Sequence, residues 1–415
     1  MAQDDHTGSP SLWRNRDYML LWSGQAVSIL GGGISDLAYP LLALALTGSP
    51  AQAGFLAAVG GLPYLLISLP AGALVDRWNR KKIMILCDTV RAVSIGTIPV
   101  AAALGHLSIA QLYVTSAAAG SAFVFFNVAE VAALPRVVDK SQIPEAASQN
   151  QAAQAGTALA APSLGGLLFQ AVGHTVPFLV DAISYAASVI SLFFIRTSFQ
   201  LERTGEERHL LAEIKEGVAW LWNQPLIRYM TFLTGGLNLA GSAIFLVLLI
   251  LARQRGAPPA LIGVMFAITA VGGLLGALVA PRFQRRFGYA QVIITAAWIQ
   301  ALVVPLFALA PNVYVLGTLG AILFVTAPIY NAVQFSYRVS LIPDALQGRV
   351  NSAVRMVGYG TLPVGSALAG LLIQSINTVP TVLIIGAFLV VLAILTTLNR
   401  HVRAAQSAVP ETLPA

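Results

Sequence analysis

Four carboxyl side chains, Asp36, Asp88, Glu130 and Asp181, stand inside otherwise apolar stretches of this 415-residue chain. On insertion scales a charge at the centre of a bilayer costs about 2.5 to 3.5 kcal/mol, so each carboxyl needs a cation, a water-filled cavity or a proton. A carboxyl that is alternately buried and wetted takes up and releases a proton, and that is the chemistry these residues offer. All four precede residue 200, and there is no acid between Arg228 and Arg338. Any proton coupling is therefore expected in the first half.

Asp36 is the leading candidate. It follows Gly31, Gly32 and Gly33, precedes Pro40, and falls on a stripe of Gln25, Ser28, Gly32, Asp36 and Tyr39. Their intervals of three and four put all five on one helical face. Glu130 shares a face with Phe123 and Asn127 but approaches a helix end, where Arg136 is an alternative partner. Asp88 and Arg91, three apart, form a structural pair on one helix. Asp181 is a further proton-coupling candidate, although a place near the external end of its helix favours a solvated acid.

The elements that hold these residues are read from composition. The chain is 57% hydrophobic and only 10% charged, with a mean hydropathy of +0.76, whereas soluble domains carry about 25% charged residues. Too little charge is present to coat a globule, so this is an all-α integral membrane protein. Hydropathy divides it into twelve transmembrane helices near 17–46, 53–75, 82–104, 109–133, 145–172, 177–197, 225–252, 260–281, 289–310, 312–337, 348–375 and 379–399. Of its 24 Lys and Arg residues, only Arg253 and Arg255 flank loops on one side. The positive-inside rule then places both termini in the cytoplasm of a bacterial inner-membrane protein. The net charge of +7 is thus spent on orientation and does not imply nucleic acid. A polar stretch separates six helices from six, and Leu210, Leu211, Ile214, Val218 and Leu221 within it share a face, as in a surface-lying amphipathic helix. The expected organisation is a tail over 1–16, a bundle over 17–197, a linker over 198–224, a second bundle over 225–399 and a tail over 400–415.

The two six-helix bundles are expected to be pseudo-symmetric. At an offset of 204, Gly31 and Gly32 match Gly235 and Gly236, Gly72 to Val75 match Gly276 to Val279, Asn127 matches Asn331, and Gly166 to Leu168 match Gly370 to Leu372. On that register Asp36 faces Ala240, Asp76 faces Ala280 and Glu130 faces Gln334. Paired bundles of one orientation are the plan of transporters that rock about a central site.

The run Gly72-Ala73-Leu74-Val75-Asp76-Arg77-Trp78-Asn79-Arg80-Lys81-Lys82 resembles the loop signature of the major facilitator superfamily, with Asn79 in place of the usual Gly. Pro162-Ser163-Leu164-Gly165-Gly166 resembles the antiporter motif of its drug exporters, with Ala161 where Gly normally precedes the Pro. Arg14-Asn15-Arg16-Asp17, Thr47-Gly48-Ser49-Pro50 and Gln347-Gly348-Arg349-Val350-Asn351 look like the branch holding macrolide-efflux proteins and the enterobactin exporter. The resemblance implies the major facilitator fold, and a cytoplasmic gate built from Gly72, Asp76, Arg77, Arg80, Lys81, Asp88 and Arg91. In that gate Asp76 would cap the helix beginning near Gly348 and Arg349, while Arg77, Arg80 and Lys81 pair with acids. The Arg typical of the fourth helix in drug antiporters is missing. The resemblance also implies a cavity lined by the first, fourth, seventh and tenth helices, with Tyr39, Phe123, Phe126, Asn127, Asn238, Tyr330, Asn331 and Gln334 as substrate contacts. Met356 and Tyr359 would join them from the eleventh helix. Polar groups among aromatic walls suit a bulky amphipathic molecule.

The expectation is a monomeric exporter of amphipathic small molecules such as macrolide-like drugs or siderophores, coupled to protons and using no cofactor. No Gly-Lys-Ser or Gly-Lys-Thr occurs for a phosphate loop, Cys87 stands alone, and five scattered His residues form no catalytic or metal constellation. An enzyme is not expected. A lipid or lysolipid flippase, an uncoupled facilitator and a non-transporting sensor or scaffold are the rivals.

Overall fold

The computed structural model describes residues 11–200, 210–343 and 346–405, apart from the side chains of Leu69, Ala73, Asp76, Lys140, 210–215 and Gly348. Among the described residues it is helical throughout, with six long helices before the linker: α1 (Arg16–Thr47), α2 (Pro50–Arg77), α3 (Arg80–Ala103), α4 (Ile109–Val137), α5 (Ile143–Ala171) and α6 (Val176–Phe194). The linker helix α7 (Leu210–Asn223) precedes α8 (Pro225–Gln254), α9 (Pro259–Arg286), α10 (Tyr289–Leu306), α11 (Val313–Leu341), α12 (Gln347–Ile376) and α13 (Thr378–Leu398), and α14 (Arg400–Ala404) ends the described chain. Eleven of these are long and apolar enough to cross a bilayer. The exception among the long helices is α5, which has 29 residues but carries Gln149, Asn150, Gln151 and Gln154.

Short polar caps fix the helix starts. Asn15, Ser49, Asn79, Ser108 and Asn312 each accept a backbone N–H of the first turn, satisfying donors that hydrocarbon would leave bare. Gly48, at φ 66°, closes α1 in the left-handed region. Pro40, Pro63, Pro162 and Pro363 stay inside their helices, as neighbouring helices allow in a membrane. The sequence limits stop short at two basic-side ends: α4 runs to Val137 and α11 to Leu341.

Helices α1–α6 pack among themselves, α8–α13 do likewise, and the two sets meet chiefly where α2 runs against α12 and α5 against α9. These contacts gather at the ends distal to the basic loops. A Cβ on Gly54 would lie 2.9 Å from Gly370 Cα, and one on Gly263 would lie 2.2 Å from Pro162 O, so backbone meets backbone at both crossings. The Gln374 side-chain oxygen accepts from Ser49 Oγ at 2.5 Å and Ala51 N at 3.2 Å. The Gln170 oxygen accepts from Ala260 N at 3.1 Å. The two glutamines are symmetry mates across the halves.

The single offset of 204 requires correction. It holds for α4 against α11 (313 − 109 = 204) but becomes 209 for α2 against α9 (259 − 50 = 209) and for α3 against α10 (289 − 80 = 209). The cause is a third-helix hairpin five residues shorter in the second half. The match of Gly72 to Gly276 is coincidental: a Cβ on Gly72 meets open space, whereas one on Gly276 would lie 2.3 Å from Val325 O. On the corrected register Asp76 faces Arg285 and Asp36 faces Phe245, replacing Ala280 and Ala240; Glu130 still faces Gln334.

Gly263→Val is expected to lower the melting temperature in detergent by several degrees, an overpacking cost of about 1 to 3 kcal/mol, while Gly72→Ala leaves it unchanged. Equal effects would show that the α5–α9 approach is not a packing constraint.

Candidate functional site: an inter-half cavity beside a carboxyl cluster

Between the halves lies a cavity of about 380 Å³, walled by α1, α5, α8, α9 and α11. Asp36 is exposed into it, with Gln154 and Thr157 of α5 and Thr269 of α9 as further polar groups. Phe245 and Phe266 stack at 4.7 Å in its second-half wall. The expected lining by the fourth helix is not what forms this wall; α5 and α9 take that role. The signal that could have located α5 is its run of amides, the feature that keeps it from reading as an apolar span.

Behind Asp36 the polar residues of the first half converge. Ser35, the preceding residue on α1, donates its hydroxyl to Asp181 of α6, which also faces Ser184 Oγ at 3.5 Å. Asp181 has no solvent exposure, so the expected solvated acid is corrected: α1 packs along α6 and covers it. Asp88, equally buried, accepts from Ser188 Oγ at 2.6 Å and pairs with Arg91 at 3.5 Å. The Arg91 guanidinium lies 3.9 Å from the centre of the Tyr185 ring and 5.6 Å from that of Phe123, a cation–π arrangement. Arg91 acts electrostatically on Asp36, Asp88, Glu130 and Asp181 together. The pairing of Asp88 with Arg91 read from the sequence is present, but Arg91 also faces the other three acids. Their neighbourhood was illegible because they come from four different helices.

Several expected substrate contacts are engaged in packing. Phe126 is buried in a cluster with Tyr18 and Met84, and Asn238 donates to Gly358 O at 2.9 Å, tying α8 to α12. Tyr330 and Gln334 are buried and share Thr234, which lies 2.9 Å from the Tyr330 hydroxyl. These four are corrected to helix–helix contacts in this conformation. Tyr39 packs edge-on against Phe178 at 4.8 Å. Asn127 and Met356 are half-buried, Phe123, Asn331 and Tyr359 are exposed, and Tyr359 lies 5.0 Å from Tyr64 across the halves.

The gate residues hold the first half together at its basic end. Arg80 donates to the carbonyls of Ala132 at 3.1 Å and Phe199 at 3.2 Å, and Lys81 to those of Ile195 at 2.6 Å and Phe193 at 3.4 Å. Both were expected to pair with acids; instead these bonds satisfy carbonyls near helix ends. Arg77 is exposed, the side chain of Asp76 lies outside the described residues, and Gly72 continues α2. Asp17 accepts from Thr197 N at 2.8 Å and Thr197 Oγ1 at 2.6 Å. In the antiporter motif, Pro162 lines the cavity, Gly165 abuts Ile34 O of α1, and Gly166 abuts Pro259 O of α9.

The sequence profile of the transmembrane secretion effector family matches residues 7–413. The chain belongs to this family of major facilitator transporters. Such proteins are not enzymes. The chain is 28% identical over 357 residues to the multidrug efflux pump Tap of Mycolicibacterium fortuitum, covering 82% of this chain and 85% of that one. It is 24% identical over 402 residues to macrolide efflux protein A of Streptococcus pyogenes, covering 94% and 97%. Among solved structures, a bacterial homologue of the iron transporter ferroportin in its inward-facing state superposes with a TM-score of 0.72 at 17% identity, covering 93% of this chain and 98% of that one. The outward-facing form gives only 0.61 at 18% identity, covering 91% and 98%. That ordering agrees with halves joined at their distal ends.

Arg91→Leu removes the cation from a buried pair and is expected to destabilise the protein by about 3 to 5 kcal/mol, with partial recovery when Asp88→Asn is added. Thermal unfolding in detergent measures both; an undiminished melting temperature in the single variant would remove Arg91 as the counter-charge.

Proposed function

We propose that this protein is a proton-driven exporter of amphipathic small molecules, macrolide-like drugs or siderophores among them, working by alternating access. In this reading α5 is the twelfth span, α1–α6 and α8–α13 are two bundles over 17–197 and 225–399, and the linker over 198–224 tethers them. Both termini and the basic loops are cytoplasmic, and the protein works as a monomer. The observation that carries the reading is the position of Asp36: it stands in the wall of the inter-half cavity while its neighbour Ser35 holds buried Asp181. The names of the efflux relatives support the direction and the class of cargo.

Four carboxyls facing one guanidinium leave up to three charges that hydrocarbon admits only with water or protons. Asp36 meets water in the cavity, and Asp181 is sealed from it. Opening the halves toward the other face changes which carboxyl is wetted, and a proton taken from outside is released inside. Inward movement of one proton supplies about 2.3 kcal/mol per 100 mV and about 1.4 kcal/mol per pH unit, enough for a cargo gradient of tens to a few thousand fold. The apolar and aromatic walls select bulky cargo by area.

Proteoliposomes carrying Asp36→Asn are expected to lose efflux driven by a pH gradient while still binding cargo; undiminished pumping would exclude Asp36 from coupling. The cargo is found by screening toxic amphiphiles in an efflux-deficient host. Expression should lower its susceptibility, and a protonophore should abolish the difference. Protection that survives the protonophore contradicts proton drive. Replacing Gln170 and Gln374 together by Leu should shift spin-label distances across the distal face toward the separated form, and an unchanged distribution would mean that these bonds do not hold that face shut.

A further inference from the structure

The consecutive helices α9 and α10 are not packed on one another along their length; both lean on α11. Between them, at the basic end, lies a second and narrower cleft of about 150 Å³ with Phe283, Phe287, Val292, Ile299 and Ile329 in its walls. Its α10 wall runs from Gln291 to Ile299, a length of about 12 Å at helical rise. It is separate from the transport cavity, with which it shares no lining residue.

The charge at the mouth of this cleft is one-sided. Arg282, Arg285 and Arg286 are exposed on the last turns of α9, and among the described residues none of the three has an ion pair. The chain provides no acid between Arg228 and Arg338 to meet them. Beside them α10 begins at Tyr289 behind Gly288, whose N–H is held by the Gln291 side-chain oxygen at 3.2 Å. The amino end of α10 therefore adds a partial positive charge at the same place. An apolar slot wide enough for one chain, ending in three uncompensated guanidinium groups at membrane-surface depth, has the polarity of an anionic phospholipid.

We propose that this cleft is a binding site for an anionic phospholipid, one acyl chain lying between α9 and α10 over α11, and the phosphate held by Arg282, Arg285 and Arg286. Charge complementarity chooses this occupant over a zwitterionic lipid: basic residues at a bilayer surface attract anionic headgroups, each contributing roughly a factor of five. The site belongs to the second half alone, so it is occupied whichever way the halves tilt. A lipid there would fill the gap that the short third-helix hairpin leaves between α9 and α10.

The test is native mass spectrometry of the full chain extracted from vesicles of phosphatidylcholine and phosphatidylglycerol, with no flux measurement involved, so it stands or falls apart from the transport reading. The parent protein is expected to retain one phosphatidylglycerol in preference to phosphatidylcholine. Replacing all three arginines by Gln should weaken retention about a hundredfold. Thr295→Trp, at an exposed cleft position, should abolish it with every charge left in place. Equal retention of phosphatidylcholine, full retention by the triple variant, or full retention by Thr295→Trp would each overturn the proposal. Displacement of the lipid by millimolar inorganic phosphate would also overturn it, by showing that the cations bind a free anion and that no chain anchors the ligand. Matching melting temperatures for the variants and the parent establish that loss of lipid does not reflect loss of fold.

Discussion

The interior of the first half is organised by a shortage of positive charge. Hydrocarbon tolerates a carboxylate only when a cation, water or a proton compensates it, and Arg91 is the guanidinium that faces Asp36, Asp88, Glu130 and Asp181 together. One cation satisfies one carboxylate. The hydroxyls that line up beside the buried acids, Ser35 and Ser184 at Asp181 and Ser188 at Asp88, supply hydrogen bonds without supplying charge. The first half is consequently the part of the molecule whose protonation has room to vary, and its helices are held by polar contacts whose strength depends on that protonation.

The second half lacks this freedom. Its inward polar groups, Tyr330, Gln334, Thr234 and Asn238, are neutral and bonded to one another or to backbone, so their network is indifferent to pH. The two halves share a fold but divide the work: one senses charge, while the other presents apolar and aromatic wall. The contacts that join them are of a third kind. At Gly54 against Gly370 and at Gly263 against Pro162, backbone touches backbone, and each crossing is finished by a glutamine from the facing half. Such contacts pack well in one arrangement and are cheap to separate, because few large side chains interdigitate across them.

Membrane residence, the sites of the long helices and the family were legible in the chain because each depends on local or repeated features: apolar runs near 20 residues, the placement of Lys and Arg, and short motifs. The repeat itself was legible, its register only in part. In helices rich in Ala, Leu and Gly, the coincidence of Gly72 to Val75 with Gly276 to Val279 outweighed a five-residue shortening that appears only when helix ends are compared. What the chain could not display was convergence. Asp181 looked solvated because its place along α6 suggested a surface, and only the packing of α1 over it removes the water. Phe126, Asn238, Tyr330 and Gln334 have the composition of a ligand site, yet the same groups serve to fasten helices, and sequence does not distinguish the two uses.

The linkage between cargo and proton follows from the adjacency of Ser35 and Asp36. Successive residues of a helix point about 100° apart, so α1 turns Asp36 toward the cavity and Ser35 toward Asp181 at one level of the membrane. The same backbone segment also abuts α5, where Gly165 meets Ile34 O, and α5 carries the distal contact to α9 through Gly166 and Gln170. Motion of α5 relative to α9 therefore bears on α1 at residue 34, beside both acids. A displacement too small to break a helix is enough to lengthen the Ser35 hydroxyl bond, since such bonds weaken steeply with geometry. Cargo pressing on the cavity wall and a proton arriving at Asp181 thus act on the same turn of α1, and neither needs a longer path to influence the other.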